Sequence, residues 1–295
     1  MPMFGIIGRE GAIKVGVLII IISIIITLSY HHPKWVAVII CASLIYGVLS
    51  PIISARRLYF LSIASSHSAL LAVVLAIPLT KICLNEYFWS ILIGISLLYC
   101  VCYAIERGID VDVATAIFVS FTSSASVIAM YLVLTNYPIE TDLWGIILGD
   151  PLLVSWYDVY YTMIITVITV VIVLLTYREQ ISISIEKDCA TLSGINVKLY
   201  DILLYTILGI ATISMIKIVG FVLQHVLIVL PSAISMLLAK NSKSMLTTSI
   251  VVSLISGLVG LNLAILTNQA PSGVIGLLMF GIYVITLTIR RGSYG

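Results

Sequence analysis

Two histidines, His67 and His225, lie deep inside long apolar stretches of this 295-residue sequence. Ionisable side chains are costly at such positions in lipid, so they are candidates for function. Neutral imidazole is also a common side-chain ligand of transition metals. These positions therefore predict metal binding at His67, with helix packing through a hydrogen-bonded ring as the open alternative. For His225 the packing role is favoured.

Polar residues accompany both histidines. Ser62 and Ser66 are four residues apart, which places them on one face of a helix, and Ser66 directly precedes His67. We expect these two serines and His67 to line a substrate pathway. Gln224 stands beside His225, and these two residues form a possible second polar site.

The composition indicates that these residues are held inside a membrane. Of the 295 residues, 61% are hydrophobic and 9% are charged, whereas a soluble domain has about 25% charged residues. Lipid offers no hydrogen bonds, so the backbone must form helices or a closed barrel. The apolar runs are long and uniform rather than short and alternating, which favours helices. We predict an all-α, polytopic transmembrane bundle in contact with membrane lipid and without a nucleic-acid partner.

Ten apolar runs long enough to cross a bilayer follow one another along a single domain of residues 1–295. The run at 13–30 follows basic residues and lacks a small-residue cleavage site, so we expect an extra N-terminal span that is retained. A further apolar stretch, 143–154, is too short to cross and fits a re-entrant or surface segment. The predicted spans are 13–30, 35–53, 58–79, 87–105, 112–134, 157–176, 198–217, 219–239, 245–265 and 272–289.

The distribution of lysine and arginine predicts the orientation of the spans. With the N-terminus in the cytosol, twelve basic residues lie inside, and only Lys34, Lys81 and Lys217 lie outside. This bias, with an even number of spans, predicts a plasma-membrane protein with both termini in the cytoplasm. The outer loops carry acidic residues, among them Asp142 and Asp150.

One cytosolic loop, 177–197, contains a short amphipathic segment. Ile185, Cys189 and Leu192 share one helical face, the charged residues lie on another, and Gly194 favours the end of the helix. Such a helix can lie on the membrane or dock into a soluble partner protein. A solvated loop helix is the third alternative.

Motifs for catalysis are missing from the sequence. It contains no phosphate-binding glycine loop, no His-Glu-x-x-His motif and no nucleophile elbow. We therefore expect a transport protein rather than an enzyme. The energy for active transport would come from an ion gradient or from a separate ATPase.

Several segments in order resemble the permeases of zinc/manganese ABC importers. Residues 50–70 contain Arg-Arg, then Phe-Leu and Ser-His, where the family reads Arg-Arg, a few residues, and Phe-Leu-Gly-Asp-Ala-x-Ser-His. The resemblance covers about residues 35–290, so the first span is additional to it. The other similar segments are 148–156 with Val-Ser-Trp, 188–197 in the cytosolic loop, 217–233, and Pro-Ser-Gly at 271–273.

The resemblance implies a half-transporter with the fold of a type II ABC importer permease. A homodimer would form the pathway, a separate ATPase subunit would dock inside and use the ATP, and an extracytoplasmic binding protein would deliver zinc or manganese. No intrinsic cofactor is implied. His67 is then a metal ligand, Asp142 and Asp150 dock the binding protein, and the loop 177–197 holds a coupling helix. The implied coupling residues are Glu186, Asp188, Ala190, Leu192 and Gly194.

The sequence departs from the family at one position of the pathway. The family has an acidic residue four before the histidine, and here that position is Ile63. His67 and serine hydroxyls alone would hold a divalent cation poorly. Either the metal site uses other residues, or the chain belongs to an importer for a metal chelate such as a siderophore or cobalamin. A separate alternative is an ion-coupled secondary transporter, although that class usually has buried acidic residues.

Overall fold

The computed structural model describes residues 9–30, 32–81, 85–137, 145, 149 and 151–292. Within these ranges the chain contains helices and no β-strand, which confirms the predicted all-α class. The helices are α1 (Arg9–Tyr30), α2 (Pro33–Ala55), α3 (Tyr59–Leu79), α4 (Glu86–Glu106), α5 (Val111–Asn136), α6 (Trp156–Ile185), α7 (Lys187–Leu192), α8 (Val197–Leu238), α9 (Ser242–Thr267) and α10 (Pro271–Gly292).

Eight helices in the described ranges, α2 to α6 and α8 to α10, are long and apolar enough to cross a membrane. Each satisfies its backbone polar groups internally, as lipid requires. The most apolar stretch of α2 is 83% buried, which places this helix at the centre of the bundle. The same stretches of α5 and α6 are only 28% buried, and side chains such as Tyr131 and Leu175 face outward. These two helices therefore offer surface suited to lipid.

The longest helix, α8, consists of two crossings joined at Gly220. This residue has φ 79° and ψ 158°, a conformation that glycine alone adopts readily, and it interrupts the helical backbone. In a straight helix Asp201 and Met236 would be about 50 Å apart. Both instead contact the C-terminal end of α2, Asp201 through Arg56 and Met236 through Ser54. The chain turns back at Gly220, as the two spans predicted for this region require.

The N-terminal helix α1 occupies the predicted additional span and lies along α9. Gly16 faces Val251, and the Asn262 amide donates to the Thr27 hydroxyl at 2.8 Å, so the two helices run parallel. The predicted count of about ten spans corresponds to the eight apolar helices, with α8 crossing twice, together with α1.

Both ends of the helical chain lie at the same end of the bundle. α9 begins directly after α8 ends, and α1 runs parallel to α9. Near the end of α10, Arg290 donates to the Met236 carbonyl at 3.4 Å. We call this end, which also holds the α2–α3 turn and α7, the α7 end, and the opposite one the Gly220 end. That the α7 end faces the cytoplasm stays a prediction.

Half of the predicted short segment 143–154 lies outside the described residues. Its Gly149 packs directly on the backbone of the α8 turn, where a Cβ atom would lie 2.1 Å from the Val219 carbonyl oxygen. No larger residue fits there unless the turn shifts. Asp142 and Asp150, predicted to dock a binding protein, lie outside the described residues.

Candidate metal pathway

His67 of α3 and His225 of α8 lie side by side within the bundle. Their ring centroids are 5.7 Å apart, and the ring planes are inclined at 80°. A zinc ion bound through a ring nitrogen lies about 3 Å from the ring centroid, so centroids about 5–6 Å apart suit a shared ion. From the sequence these histidines are predicted to form two separate sites, and the fold brings the two rings together.

Hydrogen bonds orient both rings. His225 Nδ1 lies 2.7 Å from the Phe221 carbonyl oxygen. That oxygen only accepts, so Nδ1 of the neutral ring donates, and Nε2 is left with a free lone pair. His67 Nδ1 lies 2.9 Å from the Ser123 hydroxyl of α5, and a His67 ring that donates to Ser123 likewise presents Nε2. Such outer partners fix ring orientation at metal sites.

Phe221 packs against both imidazoles. Its ring centroid is 4.8 Å from that of His67 and 4.5 Å from that of His225, with edge-to-face geometry in both cases. Phe221 is the first residue after the turn at Gly220, so this turn positions Phe221 and His225 against α3. The apolar ring walls one side of the histidine pair and limits the space around it.

The predicted pathway serines are satisfied within their own helix. Ser62 and Ser66 are fully buried, and their hydroxyls donate to α3 carbonyls at 2.7 and 3.4 Å, respectively. The hydroxyl that the structure brings to His67 is that of Ser123. Ser123 was not predicted from the sequence, because α5 contains several serines, a composition typical of helix packing in membranes.

Gln224, predicted to act with His225, is fully buried. Within the described part of the chain, neither atom of its side-chain amide has a hydrogen-bond partner. A buried, unpaired amide is costly and is usually satisfied by water or an ion. Gln224 is the chain neighbour of His225, but no hydrogen bond joins the two described side chains. The structure therefore does not combine them into one polar site.

The histidine pair is an incomplete coordination sphere. Among the residues that the structure describes, no group of three or more His, Cys, Asp or Glu side chains is placed to hold a metal ion. Water molecules could fill the remaining positions. Such weak binding suits a transport site, because the ion must enter and also leave.

A polar layer of Glu86, Tyr87, Asp158 and Lys217 ties α4, α6 and α8 together at the Gly220 end. Lys217 Nζ lies 2.5 Å from Glu86 Oε1 and 4.9 Å from the Tyr87 ring centroid. The Tyr87 hydroxyl donates to Asp158 Oδ1 at 2.5 Å. Lys217 precedes the turn of α8 at Gly220 by three residues, so it is close in sequence to Phe221 and His225. Through Lys217 this polar layer lies at the Gly220 end of the bundle.

The predicted coupling helix is α7, at the other end of the bundle. Ala190 is 4% exposed and anchors it, whereas Leu192 is 88% exposed and Ile185, just before it, is 79% exposed. Gly194, with φ 83°, follows the end of the helix. The prediction that Ile185, Cys189 and Leu192 share one face of a single helix is wrong for Ile185, because Ile185 ends α6 and Glu186 between the two helices is extended. The exposed Cys189 and Leu192 of α7 are free to meet a partner protein. The acidic residues at its N-cap and in its first turn are Glu186 and Asp188.

Curated proteins of similar sequence include two metal transport proteins. The manganese transport system membrane protein MntC of Halalkalibacterium halodurans is 25% identical over 246 residues, which cover 83% of this chain and 82% of that protein. The high-affinity zinc uptake system membrane protein ZnuB of Buchnera aphidicola is 28% identical over 241 residues, which cover 81% of this chain and 90% of that protein.

Two solved structures share the fold. PsaBC from Streptococcus pneumoniae, in complex with Fab, matches with a TM-score of 0.78 and 23% identity over 90% of this chain and 95% of that chain. A protein described as a metal-chelate type ABC transporter, in an inward-facing conformation, matches with a TM-score of 0.72 and 12% identity. The sequence model of one family, described as the ABC 3 transport family, matches residues 27–290. This match spans most of the sequence, and the chain belongs to the ABC 3 transport family.

Proposed function

We propose that this chain is the membrane-spanning permease subunit of an ATP-driven importer for a divalent transition metal. The observation that carries the proposal is the pair of His67 and His225, whose rings lie side by side in edge-to-face contact inside a bundle of this family. The relatives MntC and ZnuB are named as manganese and zinc transport proteins, which supports a metal as the substrate. Two neighbouring imidazoles offer such an ion a stopping point between the two ends of the bundle.

Zinc fits the histidine pair better than manganese does. Imidazole nitrogen suits zinc, whereas manganese prefers carboxylate and other oxygen ligands. The position four residues before His67 is Ile63, so the carboxylate expected there from the family is missing. A large metal chelate fits less well, because Phe221 and the two imidazoles pack with centroids only 4.5 to 5.7 Å apart.

The assembly that we propose contains two copies of this chain, a separate ATPase subunit on each, and an extracytoplasmic binding protein. The α7 end faces the cytoplasm, with both termini, and the exposed Leu192 docks the ATPase. The Gly220 end faces outward, where Asp142 and Asp150 meet the binding protein. ATP-driven movement of α7 then opens the path inward by alternating access. This chain has no catalytic residues and no intrinsic cofactor in this mechanism.

Uptake into proteoliposomes tests the proposal. The purified complex of this chain with its ATPase is reconstituted with the binding protein on the side opposite to ATP, and zinc and manganese are supplied separately. We expect ATP-dependent accumulation that is at least about tenfold more efficient for zinc, because of the nitrogen ligands. Vesicles given a non-hydrolysable ATP analogue serve as the control. An intact complex that hydrolyses ATP and accumulates neither metal would contradict the proposed function.

A further inference from the structure

Arg56 is a buried charge at the α7 end, where α2 turns into α3. Its side chain is only 3% exposed. One guanidinium nitrogen donates to Gln180 Oε1 at 2.7 Å, and another donates to Asp201 Oδ1. Gln180 belongs to α6 and Asp201 to α8, the two helices that flank α7 in the chain. A single side chain therefore ties the α2–α3 turn to both flanks of α7.

The partners of Arg56 extend this network to α7 itself. The other carboxylate oxygen of Asp201 lies 3.8 Å from Nζ of Lys187, the first residue of α7. The side-chain amide of Gln180 donates to the Tyr200 carbonyl at 2.9 Å, which joins α6 directly to α8. The contacts thus form one continuous polar cluster around the base of α7.

Burial makes the geometry of this cluster demanding. A guanidinium removed from water is compensated only where its partners are well placed, and its planar fork holds two partners in a fixed arrangement. Any relative movement of α2, α6 and α8 at this end must therefore break the bonds of Arg56 or carry Arg56 along. Packed apolar side chains would permit sliding at a lower cost.

The two candidate metal ligands lie on the two sides of this link. From Arg56 the chain turns within two residues into α3, which carries His67 about two helical turns further on. From Asp201 the first half of α8 leads to the turn at Gly220 and so to His225. The bond between Arg56 and Asp201 thus joins the base of α3, which carries His67, to the base of the first crossing of α8, which leads through the turn at Gly220 to His225 on the second crossing.

We propose that Arg56 is a positioning residue that makes α3 and α8 move together when α7 moves. The separation between His67 and His225 then changes with the ATPase cycle. The inference rests on the proposed function, in which an ATPase drives α7. Displacement of α7 moves α6 and α8, to which it is bonded in the chain, and Arg56 passes the movement to the α2–α3 turn. Without Arg56, α8 would move and α3 would lag behind it.

The number of metal ions transported per ATP hydrolysed tests this role, because a residue that only stabilised the fold would change the amount of complex and not this ratio. The variants are Arg56→Gln, Gln180→Met, and the pair Arg56→Asp with Asp201→Arg, each purified with the ATPase and reconstituted. Arg107→Gln is the matched control, since this arginine lies at the same end and bonds Tyr103 of its own helix. Thermal unfolding and co-purification report folding and assembly independently.

We expect Arg56→Gln and Gln180→Met to lower the transport ratio about tenfold while ATP hydrolysis continues, and Arg107→Gln to leave it unchanged. The reversed charge pair should restore part of the ratio that Arg56→Asp alone loses. If Arg56→Gln does not assemble with the ATPase, the transport ratio of Gln180→Met tests the role of Arg56. An unchanged ratio in an assembled variant would overturn the inference alone. A wild-type complex that assembles and transports no metal would overturn the proposed function and the inference with it.

Discussion

Replacement of His67 with alanine is expected to lower ATP-dependent zinc uptake at least about a hundredfold, because the ion loses one of its two protein ligands. His225→Ala should have an effect of similar size. The ring centroids of the two imidazoles are only 5.7 Å apart, so we expect the two histidines to act as one site. The double variant should then be little worse than either single variant, whereas independent sites would give multiplied losses. Uptake by reconstituted complexes, at matched amounts of assembled protein, provides the measurement.

Two serines of α5 provide controls for this prediction. Ser123→Ala removes the hydroxyl that orients His67 and should cost about tenfold in uptake. Ser120→Ala, one turn earlier on the same helix, removes a hydroxyl that donates to the Ala116 carbonyl and should have no effect. Unchanged uptake by an assembled His67→Ala complex would leave His67 with a packing role only.

Substitution of Leu192 with aspartate is expected to reduce binding of the ATPase and stimulation of its activity at least about tenfold. The side chain is 88% exposed beside the anchored Ala190, which fits an apolar residue that inserts into a partner. A carboxylate at this position would have to be desolvated on docking without a matched cation. Co-purification with the ATPase and its rate of ATP hydrolysis measure the effect.

Leu266→Asp is the matched control for the docking prediction. Leu266 is 79% exposed, so the two leucines resemble each other in type and exposure, but Leu266 lies near the end of α9 at the Gly220 end. The ATPase should bind the Leu266 variant as it binds the wild type. Equal ATPase binding by both aspartate variants would show that α7 is not the docking helix.

Features set by local sequence were predictable. Low charge and long apolar runs require helices in lipid, and the helices follow the predicted spans. The division of residues 198–239 into two spans was predictable too, although the structure shows a single helical run whose break is confined to Gly220. A short helix was expected within residues 186–194, and the structure has α7 over Lys187–Leu192, with Gly194 after its end; its coupling role stays a prediction.

Features that depend on how distant helices meet were not predictable. The sequence places His67 and His225 in separate spans, and only the fold of α8 at Gly220 brings the rings together. Nothing local distinguishes Ser123 from the other serines of α5. Arg56 belongs to the Arg-Arg pair that matches the family's motif. Its hydrogen-bond partners Gln180 and Asp201 are 124 and 145 residues away in the sequence, so no local pattern could predict these bonds.

The central claim is that His67 and His225 bind the transported metal together, and X-ray absorption at the zinc edge tests it most directly. The measurement uses the wild-type complex loaded with one zinc ion per chain. We expect two imidazole nitrogens at about 2.0–2.1 Å, with oxygen ligands completing the shell. One imidazole should disappear from the spectrum of the His67→Ala complex and likewise from that of His225→Ala. A spectrum without imidazole scattering, or one that neither substitution changes, would contradict the account.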